Sequence, residues 1–211
     1  MTASDHSASL TPSHGERPTL WQDLWRIAVL IGIGLLAGLV AGFVAGGLGS
    51  RVAMRIVALI AGHEHYGEVT DADEIVGKIT GDGTAFLVLA GTFLGVLSGF
   101  LYLAVRRWMP GSGIWKGLAF GGVLLLLFGS VIIDGGNPDF RRFVPSYLSV
   151  GLFASLFFLY GLIASAIVER LDRGGGSPPR GRVLAVGGYV VLSLAGLVGL
   201  TRDVKAVIEI F

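Results

Sequence analysis

The chain contains 211 residues, of which 53% are hydrophobic and only 15% are charged. Soluble domains carry about 25% charged residues, so this composition argues against a soluble protein and favours a membrane protein. The lack of cysteine excludes disulfides, thiolate metal sites and a cysteine nucleophile, and the formal net charge of +1 gives no case for nucleic-acid binding.

The chain begins with a polar segment, residues 1–20, that is rich in Ser and Thr. It lacks the apolar core and cleavage site of a signal peptide, and it has too little apolar surface to offset the entropy of ordering. We therefore expect a disordered cytoplasmic tail. The next segment, 27–48, is apolar and uncharged. It is long enough to span a bilayer, whose core of about 30 Å needs about 20 helical residues.

Four further apolar runs meet the same requirement, at 85–105, 114–133, 147–168 and 183–200. They should be helices, because a backbone in lipid must satisfy its own hydrogen bonds and the runs lack the alternation of barrel strands. The sequence predicts an all-α, polytopic membrane helix bundle over residues 21–211, with about five transmembrane helices.

A shorter apolar segment, 50–62, follows the first span and carries Arg51 and Arg55 on one helical face. Apolar residues recur at helical spacing on a roughly opposite stripe. We predict an interfacial helix after the first span. The alternative is a continuation of the first span that leans out of the membrane.

The acidic segment 63–83 is predicted to lie outside the membrane. Two histidines in this segment, His63 and His65, could bind a metal ion. We prefer the interpretation that the segment is an ordinary solvated loop. The orientation follows from the cations next to short loops, Arg106, Arg107 and Lys116 among them, because positive residues favour the cytoplasmic side. We therefore predict a cytoplasmic N-terminus and an external C-terminus.

The most specific pattern is a glycine-zipper spacing, in which glycine recurs at every fourth position of the first two spans. The residues are Gly34, Gly38, Gly42 and Gly46, followed by Gly91, Gly95 and Gly99. Glycines at this spacing share a helix face and allow another backbone to approach closely. We predict tight packing within the bundle, with packing between protomers or partner subunits as the alternative. Similar pairs of small residues are Gly117/Gly121, Gly151/Ser155 and Gly161/Ser165.

Charged residues are also expected to gather at the external face of the bundle. The members of this outer cluster are Arg51, Arg55, Asp134, Asn137, Asp139, Arg141 and Arg142. Ion pairs that staple the external face are the preferred interpretation. An anion or lipid-headgroup site is the first alternative, since arginine offers a bidentate fork to phosphate or carboxylate. A partner-docking surface is the second.

No enzymatic motif is found, and the predicted spans carry no ionisable residue near their centres. We expect a non-enzymatic protein of the bacterial inner membrane, without catalytic residues, cofactor, metal or nucleic-acid partner. The preferred function is a structural or accessory subunit that packs through its glycine faces against itself or a larger membrane complex. The alternatives are a channel or carrier for a small solute, or a lipid-binding protein, that uses the outer cluster.

Overall fold

The computed structural model describes residues 20–62, 67–68, 80–132, 144–172 and 182–210. The predicted N-terminal tail, apart from Leu20, and most of the acidic segment 63–83 lie outside these residues, and the last three residues of that segment, 81–83, belong to the first turn of a helix. Every regular element in the described part is a helix, which confirms the all-α prediction. The helices are α1 (Leu20–Ala41), a π-helical segment (Gly42–Gly49), α2 (Ser50–Ala61), α3 (Gly81–Val105), α4 (Ile114–Ile132), α5 (Ser146–Leu171) and α6 (Arg182–Ile210).

Four of the predicted spans correspond to helices that are long and apolar enough to cross a membrane. These are the continuous helix Leu20–Ala61, then Gly81–Val105, Ile114–Val131 and Ser146–Leu171. The fifth predicted run, 183–200, lies within α6, which has 29 residues but is not among these four helices.

The segment after the first span is helical, but it is not separate from that span. The chain continues from α1 through the π-helical segment into α2 without a break, as in the alternative interpretation. α2 ends at Ala61 and is followed by Gly62, whose φ of +82° is a backbone conformation that glycine adopts without the strain of a Cβ.

The helices alternate in direction. Gly46 of the π-helical segment lies against Gly91, whereas Gly34, earlier in the chain, lies against the later residue Leu103, so α1 and α3 are antiparallel. α4 and α5 are antiparallel by the same criterion, and α4 and α6 are parallel. The N-terminal ends of α1, α4 and α6 therefore meet the C-terminal ends of α3 and α5. We call this end of the bundle the charged end, for residues described below.

The interior contains three aromatic residues from three helices. The ring of Tyr102 meets that of Phe120 edge-on with centroids 4.8 Å apart, and Tyr160 lies 6.3 Å beyond Phe120. The buried hydroxyl of Tyr160 donates a hydrogen bond of 2.6 Å to the Gly95 carbonyl oxygen. Tyr160 thus ties α5 to the glycine face of α3.

α6 packs against α4 at a point where the two backbones come close. A Cβ added at Gly199 would collide with the carbonyl oxygen of Leu126. One turn further along α6, the Asp203 carboxylate accepts a hydrogen bond of 2.7 Å from the backbone N–H of Ser130. A glycine contact and a charge-assisted hydrogen bond therefore hold the far end of α6 on α4.

Candidate functional site

The glycines of the first two spans face each other across the contact between α1, the π-helical segment and α3. A Cβ added at Gly38 would lie 2.7 Å from both the Gly95 carbonyl oxygen and Val96 Cα, and one at Gly42 would lie 2.6 Å from the Gly91 carbonyl oxygen. These neighbours are backbone atoms and cannot move aside as a side chain can. The two helices approach this closely because glycine stands at these positions.

The π-helical segment explains how four glycines in succession can face one neighbour. In an α-helix, four residues cover about 400°, so a stripe at this spacing drifts by roughly 40° at each interval. A π-helix closes its hydrogen bonds over five residues, so each residue turns the chain through a smaller angle. The segment Gly42–Gly49 therefore offsets the drift, and Gly46 still lies against Gly91.

A second glycine contact joins α4 to α5. A Cβ added at Gly117 would lie 2.9 Å from Leu162 Cα, and one at Gly121 would lie 2.7 Å from Phe158 Cα. Gly161 meets both α4 glycines from the opposite side. The weaker pair Gly151/Ser155 is not part of this contact, because both residues are exposed and Gly151 has open space around its Cα.

Only two members of the predicted outer cluster lie in the described residues. Arg51 and Arg55 stand in α2, at the end of the bundle opposite the charged end. Arg55 is exposed, whereas the Nε and Nη2 atoms of Arg51 are buried and have no hydrogen-bond partner. The other members, and the His63/His65 pair, lie outside the described residues. These are Asp134, Asn137, Asp139, Arg141 and Arg142.

Sequence reasoning missed a network of ion pairs at the charged end. Lys116 Nζ donates a hydrogen bond of 3.0 Å to Glu169 Oε1, which also accepts one of 3.0 Å from the Tyr102 hydroxyl. Nearby, Arg106 Nη2 pairs with Asp172 Oδ2. The Arg106 and Lys116 side chains are only 6% and 11% exposed, whereas their partners Asp172 and Glu169 are 17% and 30% exposed, so these pairs join the ends of α3, α4 and α5 at the edge of the buried interior.

The network compensates two unfavourable positions. Lys116 stands in the first turn of α4, where the helix dipole is positive, and Glu169 stands in the last turn of α5, where it is negative. Each charge is disfavoured by its own helix and favoured by the other. The pairing therefore ties the start of α4 to the end of α5.

A sequence signal for this network does exist. Cations at the end of α3 and the start of α4 are matched by acids at the end of α5. Alternating helices bring these three ends to one side of the bundle. The positive-inside rule accounts for these cations without any partner, and their partners lie more than fifty residues away in sequence.

Comparison with known proteins does not indicate a function for these contacts. No protein-family model matches the chain, and neither the curated proteins nor the solved structures contain a detectable match. Any functional proposal therefore depends on the contacts within this chain.

Proposed function

We propose that this chain is an integral protein of a bacterial cytoplasmic membrane, with five transmembrane helices, a cytoplasmic N-terminus and an external C-terminus. The alternation of the helices supports an odd number of crossings, and the cations at the charged end suit a cytoplasmic location. Large apolar side chains that point outward, such as Phe86, Leu89 and Phe93 at 65–70% exposure, suit contact with lipid.

Within that membrane we infer a non-enzymatic structural or accessory subunit. One observation carries the proposal: the interior is built from contacts between the chain's own helices. Glycine backbones meet across α1 and α3, the Tyr160 hydroxyl binds a carbonyl of α3, and the Lys116–Glu169 pair joins α4 to α5. Such an interior makes a rigid scaffold.

The proposed subunit does not use its glycine faces to bind a partner, as the sequence analysis expected, because these faces pack against each other within the chain. Gly38, Gly42, Gly95 and Gly99 are buried inside the chain, so they build the bundle. A partner subunit or a second copy would then meet the outer, apolar surfaces of the helices.

The test is affinity purification of the full chain from native membranes in a mild detergent, followed by mass measurement of the intact particle and identification of bound proteins. A stoichiometric partner or a defined homo-oligomer is the expected result. A matched preparation of an unrelated membrane protein with the same affinity tag controls for adventitious capture. A particle that contains one chain and no partner would contradict the proposal.

A second candidate, a solute carrier or lipid-binding protein, is favoured by the buried and unpaired edge of Arg51. The carrier form predicts solute flux in proteoliposomes that falls when Arg51 is replaced. Flux that is absent, or that is the same with Arg51→Ala, would count against a carrier.

A further inference from the structure

The Arg51 guanidinium has one buried edge, close to the start of α2. Its Nε and Nη2 atoms are both buried and without a hydrogen-bond partner. These two atoms point their N–H groups in the same direction and form one of the bidentate forks of the side chain. Arg51 therefore offers two parallel donors.

Such a fork has a definite chemical preference. Arginine binds carboxylate and phosphate through two parallel N–H···O bonds, and these bonds are charge-assisted. A buried donor that lacks any acceptor is costly, and more so when it is charged. An oxyanion with two oxygens on one face would satisfy both donors at once.

The position of Arg51 favours phosphate as the source of those oxygens. It stands three residues beyond the end of the predicted first span at Leu48, roughly 4.5 Å along a helix axis. The headgroup layer on each side of a bilayer is about 5–7 Å thick. Arg51 is therefore at the depth of lipid phosphates if the chain spans the membrane as proposed.

Contacts of the neighbouring residues hold the backbone at Arg51 in a defined position. It follows directly on the π-helical segment, a rare geometry that is frequent at functional sites. The preceding residue, Ser50, donates its hydroxyl to the Gly46 carbonyl oxygen at 2.5 Å, and Gly49 lies against Leu156 of α5. The hydrogen bond ties α2 to the preceding turn of its own helix, and the Gly49 contact places the start of α2 against α5.

We propose that the Nε/Nη2 fork of Arg51 binds the phosphoryl oxygens of a phosphate group, either a phospholipid headgroup or free phosphate. The inference rests on the proposed membrane location, but it needs no partner subunit. It adds a ligand class to the second candidate function, and it stands or falls separately from the scaffold role.

The experiment measures the melting temperature of the delipidated full chain in a phosphate-free neutral detergent. Three probes are added separately: dihexanoyl phosphatidylglycerol, dihexanoylglycerol without the phosphate, and inorganic phosphate. Arg51→Met removes the fork, Arg51→Lys keeps the charge without it, and Arg202→Met is the control, since Arg202 is an exposed arginine of α6.

The phospholipid should raise the wild-type melting temperature by roughly 5–10 °C near 100 times its dissociation constant. The phosphate-free lipid should not, Arg202→Met should respond as wild type, and Arg51→Lys should respond less. Without probe, Arg51→Met should melt at or above the wild type, because it removes two unpaired donors. A response to inorganic phosphate alone identifies free phosphate as the source, and a response confined to the phospholipid identifies the headgroup.

Three results would overturn the proposal. The first is a wild type that responds to neither phosphate-containing probe, or equally to the phosphate-free lipid. The second is an Arg51→Met response equal to that of the wild type, or, if that variant cannot be purified, an undiminished response of Arg51→Lys. The third is Arg51→Met melting below the wild type without probe, which would mean that the Arg51 side chain already stabilises the protein in the absence of phosphate. A separate experiment tests the proposed membrane location. If alkaline carbonate releases the chain from membranes, the chain is not an integral membrane protein.

Discussion

At the scale of single residues, the charged end shows how a buried ion pair depends on its surroundings. Lys116 is nearly buried, whereas the side chain of Glu169 is 30% exposed. Glu169 serves two donors, so its loss affects α3 through Tyr102 as well as α4 through Lys116. The cost of removing one partner is set mainly by the charge that is left behind.

The Glu169→Gln variant tests this directly. Glutamine keeps an oxygen acceptor for both donors but leaves the Lys116 charge unpaired, so we expect a loss of about 1–3 kcal/mol in the free energy of unfolding. The double variant Lys116→Met/Glu169→Gln removes that charge and should regain part of the loss. Unfolding in mixed detergent measures both, with the exposed Asp82→Asn as control. A double variant less stable than Glu169→Gln would contradict this account.

At the scale of elements, the contact between α1 and α3 shows that close packing of two helices can contribute more to stability than helix propensity does. Glycine lowers the stability of a helix interior by about 1 kcal/mol relative to alanine. In this chain the loss is offset by backbone contact along a whole helix face. A glycine of the same helix that faces away from α3 should therefore not contribute to stability through this contact.

Gly32 and Gly38 of α1 provide a matched pair. A Cβ at Gly38 would lie 2.7 Å from backbone atoms of α3, whereas a Cβ at Gly32 would have nothing within 4 Å. Gly38→Ala should destabilise the bundle by about 1–3 kcal/mol, because the helices must separate. Gly32→Ala should leave stability unchanged or raise it by up to about 1 kcal/mol. Thermal unfolding of the two purified variants measures the difference, and equal effects would contradict the packing account.

At the scale of the whole molecule, alternation of the helices places the start of α1 and the end of α6 at opposite ends of the bundle. The turn between α3 and α4 lies at the charged end, and the C-terminal part of α6 lies at the opposite end. Five crossings therefore place these two points in different compartments. Four crossings, with α6 outside the membrane core, would not.

Cysteine labelling in intact cells tests this topology without background, because the chain has no cysteine. A membrane-impermeant maleimide should label Lys205→Cys in α6 and should not label Ser112→Cys in the α3–α4 turn. Both should be labelled after permeabilisation. Labelling of Ser112→Cys alone would reverse the orientation, and labelling of neither in intact cells would indicate four crossings with both termini inside.

Sequence pattern alone was enough for the helical class, for the four of five predicted spans that are helices long and apolar enough to cross a membrane, and for the glycine positions at which close packing was expected. These properties follow from local composition and periodicity, which need no knowledge of the neighbouring helix. The helical nature of the segment after the first span was also readable from its pattern. The same pattern allows either a separate helix or an unbroken continuation of the first span, and the structure has the continuation.

Which surfaces meet depends on how the helices pack together. The tertiary structure paired Gly38 with Gly95, introduced a π-helical segment that keeps the glycines facing α3, and joined Lys116 to Glu169 across 53 residues of sequence. It also separated Arg51, with its buried edge, from the exposed Arg55. The physical reason is that burial and pairing are properties of two or more elements together, and a periodic pattern specifies a helix face without specifying what covers it.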